Sequence, residues 1–174
     1  MAWADLLPHF PHLQIQSIQH ECQHVTITLV STRESDRCPT CQTQTQLGHG
    51  WFTRRIHSLP SSGQAVILLI QARRFRCPNP ACPRKTFRED LSALADRYQR
   101  RTQAATQLLC SVAAIAGGQA GARLATQMQL PTSRSTLLRC LIRHAPSSAD
   151  VPRVVGVDDF AWTKRRRYGT ILVE

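Results

Sequence analysis

Four of the seven cysteines stand in two close pairs, a spacing that is typical of a metal site. Two residues separate Cys38 from Cys41, and four separate Cys77 from Cys82. Such pairs can bring four thiolates to one tetrahedral Zn²⁺, and a proline directly after Cys38 and Cys77 stiffens each turn. A site filled by four cysteines leaves no open position for a substrate. The pattern therefore predicts a structural zinc.

Two other interpretations of these cysteines stay open. The Cys38/Cys41 pair could be a redox dithiol, although the strand–helix context of thioredoxin-like proteins is missing around it. The pairs could also be buried thiols that meet by chance. An odd cysteine count, with no secretory signal pattern at the N-terminus, disfavours a disulfide scaffold. Cys110 and Cys140 fall on helical patterns, where we expect them to pack as small apolar residues.

Arginine dominates the charge of the chain. The sequence holds 22 Lys+Arg against 11 Asp+Glu, a formal net charge of +11, and acidic residues are absent between Asp36 and Glu89 and between Asp96 and Asp150. A solvated basic face normally carries interspersed acids, so these tracts favour a polyanionic partner. An anionic membrane fits less well, because no segment has the bulky apolar face of an interfacial helix or the length of a membrane span.

Strand patterns surround the cysteines over residues 13–90. Alternating apolar and polar residues predict two strands between Leu13 and Val30. Residues 51–59 and 64–75 predict a strand pair around Pro60–Gly63, and the second strand leads to Cys77. We expect a zinc-ribbon module here. The basic residues of this module that we expect to contact DNA are Arg73, Arg74, Arg76, Arg84 and Lys85.

Residues 97–145 change to the helical period. An apolar stripe from Ala105 to Ala116 predicts an amphipathic helix that Gly117-Gly118 ends. The stretch from Gly118 to Arg143 has helix–turn–helix proportions, with Ser133 as N-cap of the last helix. The residues expected to face inward are Ala122, Leu124, Ala125, Met128, Leu137, Leu138 and Leu141. The residues expected to face outward and contact DNA are Arg134, Ser135, Arg139 and Arg143. An ordinary helix pair with a charged exterior is the other interpretation.

The last part of the chain carries a pair of carboxylates. Residues 146–152 are predicted to be a linker, and residues 153–174 to form two strands around a basic turn. The first strand ends at Asp158 and Asp159. Carboxylates at a strand end can hold Mg²⁺ for phosphoryl transfer, but that chemistry needs partners from elsewhere in the chain.

These motifs together resemble the ISL-three family of insertion-sequence transposases. The resemblance extends over about residues 13–174. Its zinc-finger part is carried by the Cys38/Cys41 knuckle, Arg73-Arg-Phe-Arg-Cys77 and Cys82-Pro-Arg-Lys-Thr-Phe87. Residues 117–143 are similar to the helix–turn–helix of that family. Residues 155–161 and 168–170 look like the opening of its ribonuclease-H-like catalytic domain.

The resemblance implies roles for both ends of a full-length protein. The N-terminal part would bind double-stranded DNA at terminal inverted repeats, and a Mg²⁺-dependent catalytic domain would cut and join DNA. Asp158 matches the first catalytic aspartate, and Asp159 stands where relatives usually carry glutamate. The other two catalytic acids have no counterpart, so Asp158 is expected to be a remnant that is not functional alone. We expect no catalysis from this chain by itself.

The expected fold class is therefore α+β: a β-rich zinc ribbon, a helix–turn–helix domain and an incomplete ribonuclease-H-like β segment. The leading hypothesis is recognition of transposon-end DNA in the bacterial cytoplasm, at the nucleoid, as a homodimer or with an intact transposase. Two alternatives stay open. One is a truncated product that regulates or inhibits transposition, and the other is a structural zinc-ribbon module that binds RNA or protein.

Overall fold

The computed structural model of the chain describes residues 12–144, 156–163 and 167–173. Its fold is mixed α+β, and it divides into two compact units, Met1–Arg143 and His144–Glu174. The predicted linker at 146–152 and residues 164–166 of the predicted basic turn lie outside the described residues, and Arg167 of that turn begins the last strand. The strands are β1 (Leu13–His20), β2 (His24–Ser31), β3 (Asp36–Arg37), β4 (Gln44–Thr45), β5 (Gly48–His57), β6 (Ala65–Arg76), β7 (Thr86–Arg88), β8 (Gly156–Thr163) and β9 (Arg167–Val173). The helices are α1 (Gln103–Ala116), α2 (Gln119–Gln127) and α3 (Arg134–His144).

A five-stranded sheet organises the first part of the N-terminal unit. β1 pairs antiparallel with β2, β2 lies parallel to β6, and β6 pairs antiparallel with β5 and β7. The two predicted strand pairs are confirmed as β1–β2 and β5–β6. Gly63 takes a φ of +74° in the turn between β5 and β6, a conformation that only a residue without Cβ adopts freely.

One face of this sheet carries an apolar core. Alternate residues of β2 and β6, such as Ile27 and Leu68, lie beside each other in the parallel register and are buried. Ile56 of β5 joins them, and Leu91 and Leu94 from the segment after β7 cover the cluster. This segment, which the periodicity does not assign to any element, is therefore held against the sheet by its leucines.

The three helices form a second core. Thr102 caps the N-terminus of α1, and its hydroxyl oxygen accepts a hydrogen bond from the backbone N–H of Ala105 at 3.2 Å. Ser133 accepts one from the N–H of Thr136 at 3.2 Å, as an N-cap should. The buried residues of this cluster are Ala105, Leu109, Ala113, Ala125, Leu130 and Leu137. Among the described residues, no helix is long and apolar enough to cross a membrane.

Two predicted core positions of these helices are wrong. Leu124 is 39% exposed and Leu138 is 46% exposed. Each helical residue turns the chain by about 100°, so Leu138 points well away from Leu137, whereas Leu141 is only about 40° from it. The short helices bury one narrow stripe, and Leu138 covers Gly118 instead, where an added Cβ would lie 3.4 Å from the Leu138 Cγ.

The C-terminal unit, as far as it is described, is an antiparallel pair of strands. Asp158 of β8 stands opposite Ile171 of β9, and Asp159 stands opposite Thr170. Gly169 lies against the Phe160 ring, where an added Cβ would come within 2.9 Å of a ring carbon. A side chain at position 169 would therefore require the Phe160 ring to move.

Candidate zinc centre and nucleic-acid interface

The four paired cysteines come together at one point. Their sulfur atoms all lie within 4.8 Å of one another. Cys41 Sγ is 3.5 Å from Cys77 Sγ, and Cys38 Sγ is 3.9 Å from Cys82 Sγ, so each pair contributes one sulfur to each of these contacts. Separations of this size suit four sulfurs around one tetrahedral ion. The prediction that both pairs share one site is confirmed.

Two small turns position these sulfurs. The first knuckle connects β3 to β4, where the Gln42 N–H donates to the Cys38 carbonyl at 2.8 Å and the Cys38 N–H donates to Thr43 at 3.0 Å. The second knuckle connects β6 to β7, where the Cys77 N–H donates to Lys85 at 2.9 Å. Each knuckle is thus closed by backbone hydrogen bonds between its own residues.

Backbone N–H groups also point at the sulfurs, with one repeated spacing. Each cysteine receives a hydrogen bond from the amide two residues later along the chain, and this contact lowers the pKa of its thiol. The donors are Thr43 for Cys41, Asn79 for Cys77, Arg84 for Cys82 and Thr40 for Cys38, whose pKa the Cys41 amide lowers still more than Thr40 does. Amide donors stabilise negative charge on sulfur, so the two turns are built to hold thiolates.

Burial of the sulfurs raises the thiol pKa and so opposes the effect of the amides. The net direction of the pKa shift differs among the four cysteines. Burial raises the pKa of Cys77 to about 12 and also raises the pKa of Cys82. Contact with the Thr43 side chain, whose Oγ1 lies 3.3 Å from Sγ, lowers the pKa of Cys41 to about 6. The raised pKa values keep protons on Cys77 and Cys82, whereas the pKa of the fully buried Cys38 is lowered by the Cys41 and Thr40 amides, and a bound dication would replace the protons that remain.

The residues present therefore fit a zinc ion. Cys38, Cys77 and Cys82 are buried and Cys41 is half-buried, so water is largely excluded. Phe75 and Phe87 pack on the cluster with their rings 5.8 Å apart. The soft, all-thiolate donor set selects zinc, and the closed coordination gives the ion a structural role. The predicted structural Zn²⁺ is supported by this geometry.

The basic residues predicted to contact DNA beside the second knuckle differ in their exposure and in their contacts with the protein. Arg73 is half-buried, with its guanidinium 4.9 Å from the centre of the Trp51 ring. Arg74 is half-buried, and its Nε has no hydrogen-bond partner among the described residues. Arg84 donates to the Thr40 hydroxyl at 3.0 Å, and Lys85 donates to the Pro80 carbonyl at 3.1 Å. The side chain of Arg76 is exposed.

The four predicted residues of α3 are all exposed: Arg134, Ser135, Arg139 and Arg143. At about 100° per residue, Ser135, Arg139 and Arg143 share the side away from the fully buried Leu137, whereas Arg134 lies only about 60° from Leu137, beside Gly118. The Arg139 Nε lies 3.3 Å from the Ser135 carbonyl, which turns its guanidinium back along the helix. The exposed Ile142 lies on the same side, so this face offers long donors together with apolar surface.

Asp158 and Asp159 are exposed on β8. Asp159 accepts a hydrogen bond from the Thr170 hydroxyl across the strand pair at 2.8 Å. Among the described residues, the group of potential metal ligands that comes together is the cysteine cluster, and Asp158 is not part of it.

Several arginines that the sequence analysis did not select lie near those it did. Arg88 stands directly opposite Arg74 in the β6–β7 pairing, and its guanidinium is 5.1 Å from the centre of the Phe52 ring. Arg97 and Arg100 follow on the segment between β7 and α1. The signal was present in the sequence, since Arg88 lies three residues beyond Lys85.

Comparison with protein families finds one match. Residues 34–84 match the family described as the zinc-finger of transposase IS204/IS1001/IS1096/IS1165. The matched segment contains β3, β4, β5 and β6 and both cysteine knuckles. Comparisons with curated proteins and with solved structures return no match. Over this segment, the resemblance drawn from the cysteine spacing and the basic approach to Cys77 is confirmed.

Proposed function

Because residues 34–84 form a zinc ribbon of the ISL-three transposase family, we propose that this chain is the DNA-binding N-terminal part of an insertion-sequence transposase. It recognises double-stranded DNA at the ends of the transposon. The match of the four-cysteine segment to that family carries the proposal. A net charge of +11, concentrated in tracts without acidic residues, supports a polyanionic partner.

In this proposal α2 and α3 act as a helix–turn–helix, and α3 reads the bases. A recognition helix needs a buried back that fixes it to the domain and a front with long donors. Leu137 supplies the buried back, Arg139 supplies a long donor on the front, and Arg134 lies in the first turn of the helix. Arginine bonds two acceptors of guanine at once, and the exposed Ile142 offers an apolar contact for a thymine methyl group.

The zinc module positions the chain on the duplex. Several of its arginines are held in place by contacts with the protein. Side chains of this kind suit contacts with phosphates, which fix the position of a protein on the duplex, better than contacts with base edges. We expect these 174 residues to bind DNA without cutting it. A metal-dependent phosphoryl transfer needs more ligands than the Asp158 and Asp159 carboxylates that the β8–β9 pair presents. Pairing with a second copy or with an intact transposase stays a prediction.

The test is selection of bound sequences from a randomised duplex pool by the zinc-loaded chain, followed by anisotropy titration of the selected duplex. Arg139→Ala and Arg134→Ala should each weaken binding to the selected duplex by about 1–3 kcal/mol and relax the preference at one base pair. Arg139→Lys is the matched control, because it keeps the charge and loses the planar fork.

If Arg139 reads a base, Arg139→Lys should lose the preference and keep the binding to random duplex. If Arg139 contacts phosphate alone, the lysine variant should behave as the parent. A pool that yields no preferred sequence would refute specific recognition. Tighter binding to structured RNA than to duplex DNA at the same salt concentration would favour the RNA-binding alternative.

A further inference from the structure

A deep cleft lies between the zinc knuckles and the segment that connects β7 to α1. Its volume is about 780 Å³, and its walls hold eight arginines and three acidic residues. One wall is formed by the first knuckle and β7, the floor by β5 and β6, and the other wall by residues 90–100. Both acid-free tracts of the sequence contribute arginines to it, for example Arg74 and Arg97.

The three acidic residues of the cleft are occupied by the protein itself. Glu89 is buried, accepts from the Ser31 hydroxyl at 2.7 Å and from the Arg73 N–H at 3.0 Å, and lies 3.5 Å from Arg33 Nε. Asp36 pairs with Arg33 at 3.2 Å and accepts from the backbone of Arg37 and Asp90. Asp90 in turn accepts from the N–H and hydroxyl of Ser92.

The arginines of the cleft are therefore in excess over the acids that could neutralise them. Arg74 and Arg88 stand directly opposite each other across β6 and β7, although like charges at such positions destabilise a sheet. Arg74 Nε has no hydrogen-bond partner among the described residues. Positive charge collected in a concave site attracts an anion. In this cleft the acidic residues are too few to balance the charge of the arginines.

Arg54 fixes the opposite wall. Its guanidinium donates to the carbonyl oxygens of Ala95, Asp96 and Gln99, at 3.1 Å for Ala95 and 2.8 Å for Gln99. The same wall is tied to the end of β5, since the His57 N–H donates to the Arg100 carbonyl at 2.9 Å. Residues 95–100 are thus held in one shape although they belong to no helix or strand.

Tyr98 lies within this turn and has an unusual backbone conformation. Its φ is +68°, which is rare for a bulky residue, and 78% of it is exposed. The Arg97 guanidinium lies 4.9 Å from the ring centre, and Tyr98 lines the cleft. Strained residues that the surrounding structure over-determines cluster at binding sites. An exposed ring beside phosphate-binding arginines is the arrangement on which a base stacks.

We propose that this cleft binds one phosphodiester strand of DNA, with its phosphates against Arg88 and Arg100 and one base stacked on Tyr98. The inference rests on the proposed DNA-binding function and adds a second contact site to the one on α3. The strand can belong to an intact duplex or to an unpaired end. The contribution of Tyr98 separates the two sources, because only an unpaired base is free to stack on it.

The experiment measures binding of the full zinc-loaded chain to three labelled probes over a range of salt concentrations. The probes are a 12-nucleotide single strand, the selected duplex, and that duplex with a single-stranded tail. The variants are Arg88→Gln/Arg100→Gln, Tyr98→Leu and Tyr98→Phe. The control is Arg123→Gln on α2, which removes one exposed positive charge outside the cleft. Leucine and phenylalanine carry the same backbone strain at position 98, so their difference reports the ring alone.

The double arginine variant should weaken binding to the single strand and to the tailed duplex at least about tenfold, and lower the salt slope by about one for each lost phosphate contact. Tyr98→Leu should weaken binding to the same two probes about five- to hundredfold, and Tyr98→Phe should bind as the parent. Arg123→Gln should change affinity less than about twofold.

Each outcome decides a separate point. If the double arginine variant binds all three probes as tightly as Arg123→Gln does, the cleft is not a DNA site, whatever α3 does. If the double arginine variant weakens binding to the intact duplex while Tyr98→Leu changes the affinity for none of the probes, the proposal that a base stacks on Tyr98 is wrong. If the duplex pool yields no preferred sequence but the cleft variants still lose the single strand, the α3 proposal fails and this one stands.

Discussion

The sheet with its zinc ribbon and the three-helix part are both basic, but they use their arginines differently. In the first region, Arg54 and Arg84 donate to protein oxygens, and Arg73 stacks on Trp51. On α3, Arg134 and Arg143 are exposed and make no hydrogen bond or ion pair with any residue that the structure describes. Arginines held by long-range contacts are thus found in the first region, although Arg76 there is exposed, and Arg139 on α3 bonds only to the Ser135 carbonyl of its own helix.

The difference separates two tasks that net charge alone does not distinguish. An arginine that the protein already holds loses little side-chain entropy when it meets a phosphate, so it suits positioning. A free arginine on a helix can adjust its fork to a base edge, at the cost of being ordered on binding. The first region is therefore expected to set affinity and register, and the second to set sequence preference.

Removal of a zinc ligand should have the largest effect and should separate the two regions. Cys77→Ser is expected to lose the ion and unfold the ribbon, because structural zinc contributes about 10–16 kcal/mol in small zinc-binding domains. The helical core contains no cysteine of the cluster, so far-UV circular dichroism at 222 nm should keep its helical signal. Zinc stoichiometry from native mass spectrometry provides the readout.

Cys22→Ser is the control, since Cys22 is exposed and lies outside the cluster. It should keep one zinc per chain and the parent melting curve. A Cys77→Ser protein that still holds one zinc tightly would mean that the four sulfurs do not form one site. Loss of the helical signal in that variant would show that the two regions fold as one.

Acid should release the ion through the same sulfurs. Zinc needs thiolates, so every thiol that is protonated in the metal-free site makes binding weaker as pH falls. The Cys77 thiol, with a pKa of about 12, is protonated at any physiological pH, so it must release a proton whenever zinc binds. Cys41, with a pKa of about 6, does so only when the pH falls below that value. Zinc affinity should therefore fall with decreasing pH, and more steeply below about pH 6. Competition with a chromogenic chelator from pH 8 to pH 5 measures the slope.

Local signals predicted the zinc centre and much of the secondary structure. The cysteine spacing, the turn at Gly63 and the Ser133 cap act within a few residues, so they are visible in the sequence. The parallel pairing of β2 with β6 joins residues about forty apart and leaves no local mark. Arg54 reaches carbonyls 41 to 45 residues away, which is why neither the turn at Tyr98 nor the cleft could be foreseen. Leu138 was misplaced because the apolar stripe of a short helix is narrower than its leucine count suggests.

A substitution in the helical core tests how much the buried side of α3 contributes to the stability of the fold. Leu137→Ala should cost about 2–5 kcal/mol, because Leu137 is fully buried and truncation leaves a cavity. Leu138→Ala is the matched control and should cost less, since Leu138 is 46% exposed. Urea denaturation followed by circular dichroism measures both. Equal losses for the two variants would show that Leu138 is a core residue after all.

The smallest effects test the distinction between held and free arginines directly. Arg54→Gln should lower the free energy of unfolding by about 1–3 kcal/mol, because three carbonyl oxygens lose a charged donor. Arg143→Gln should change it by no more than about 0.5 kcal/mol, as is usual for an exposed side chain without partners. Both substitutions remove one positive charge, so a general effect of net charge would shift the two variants equally. If urea denaturation gives them the same loss, the arginines of the two regions do not differ in their structural role, and the division between positioning and reading loses its physical basis.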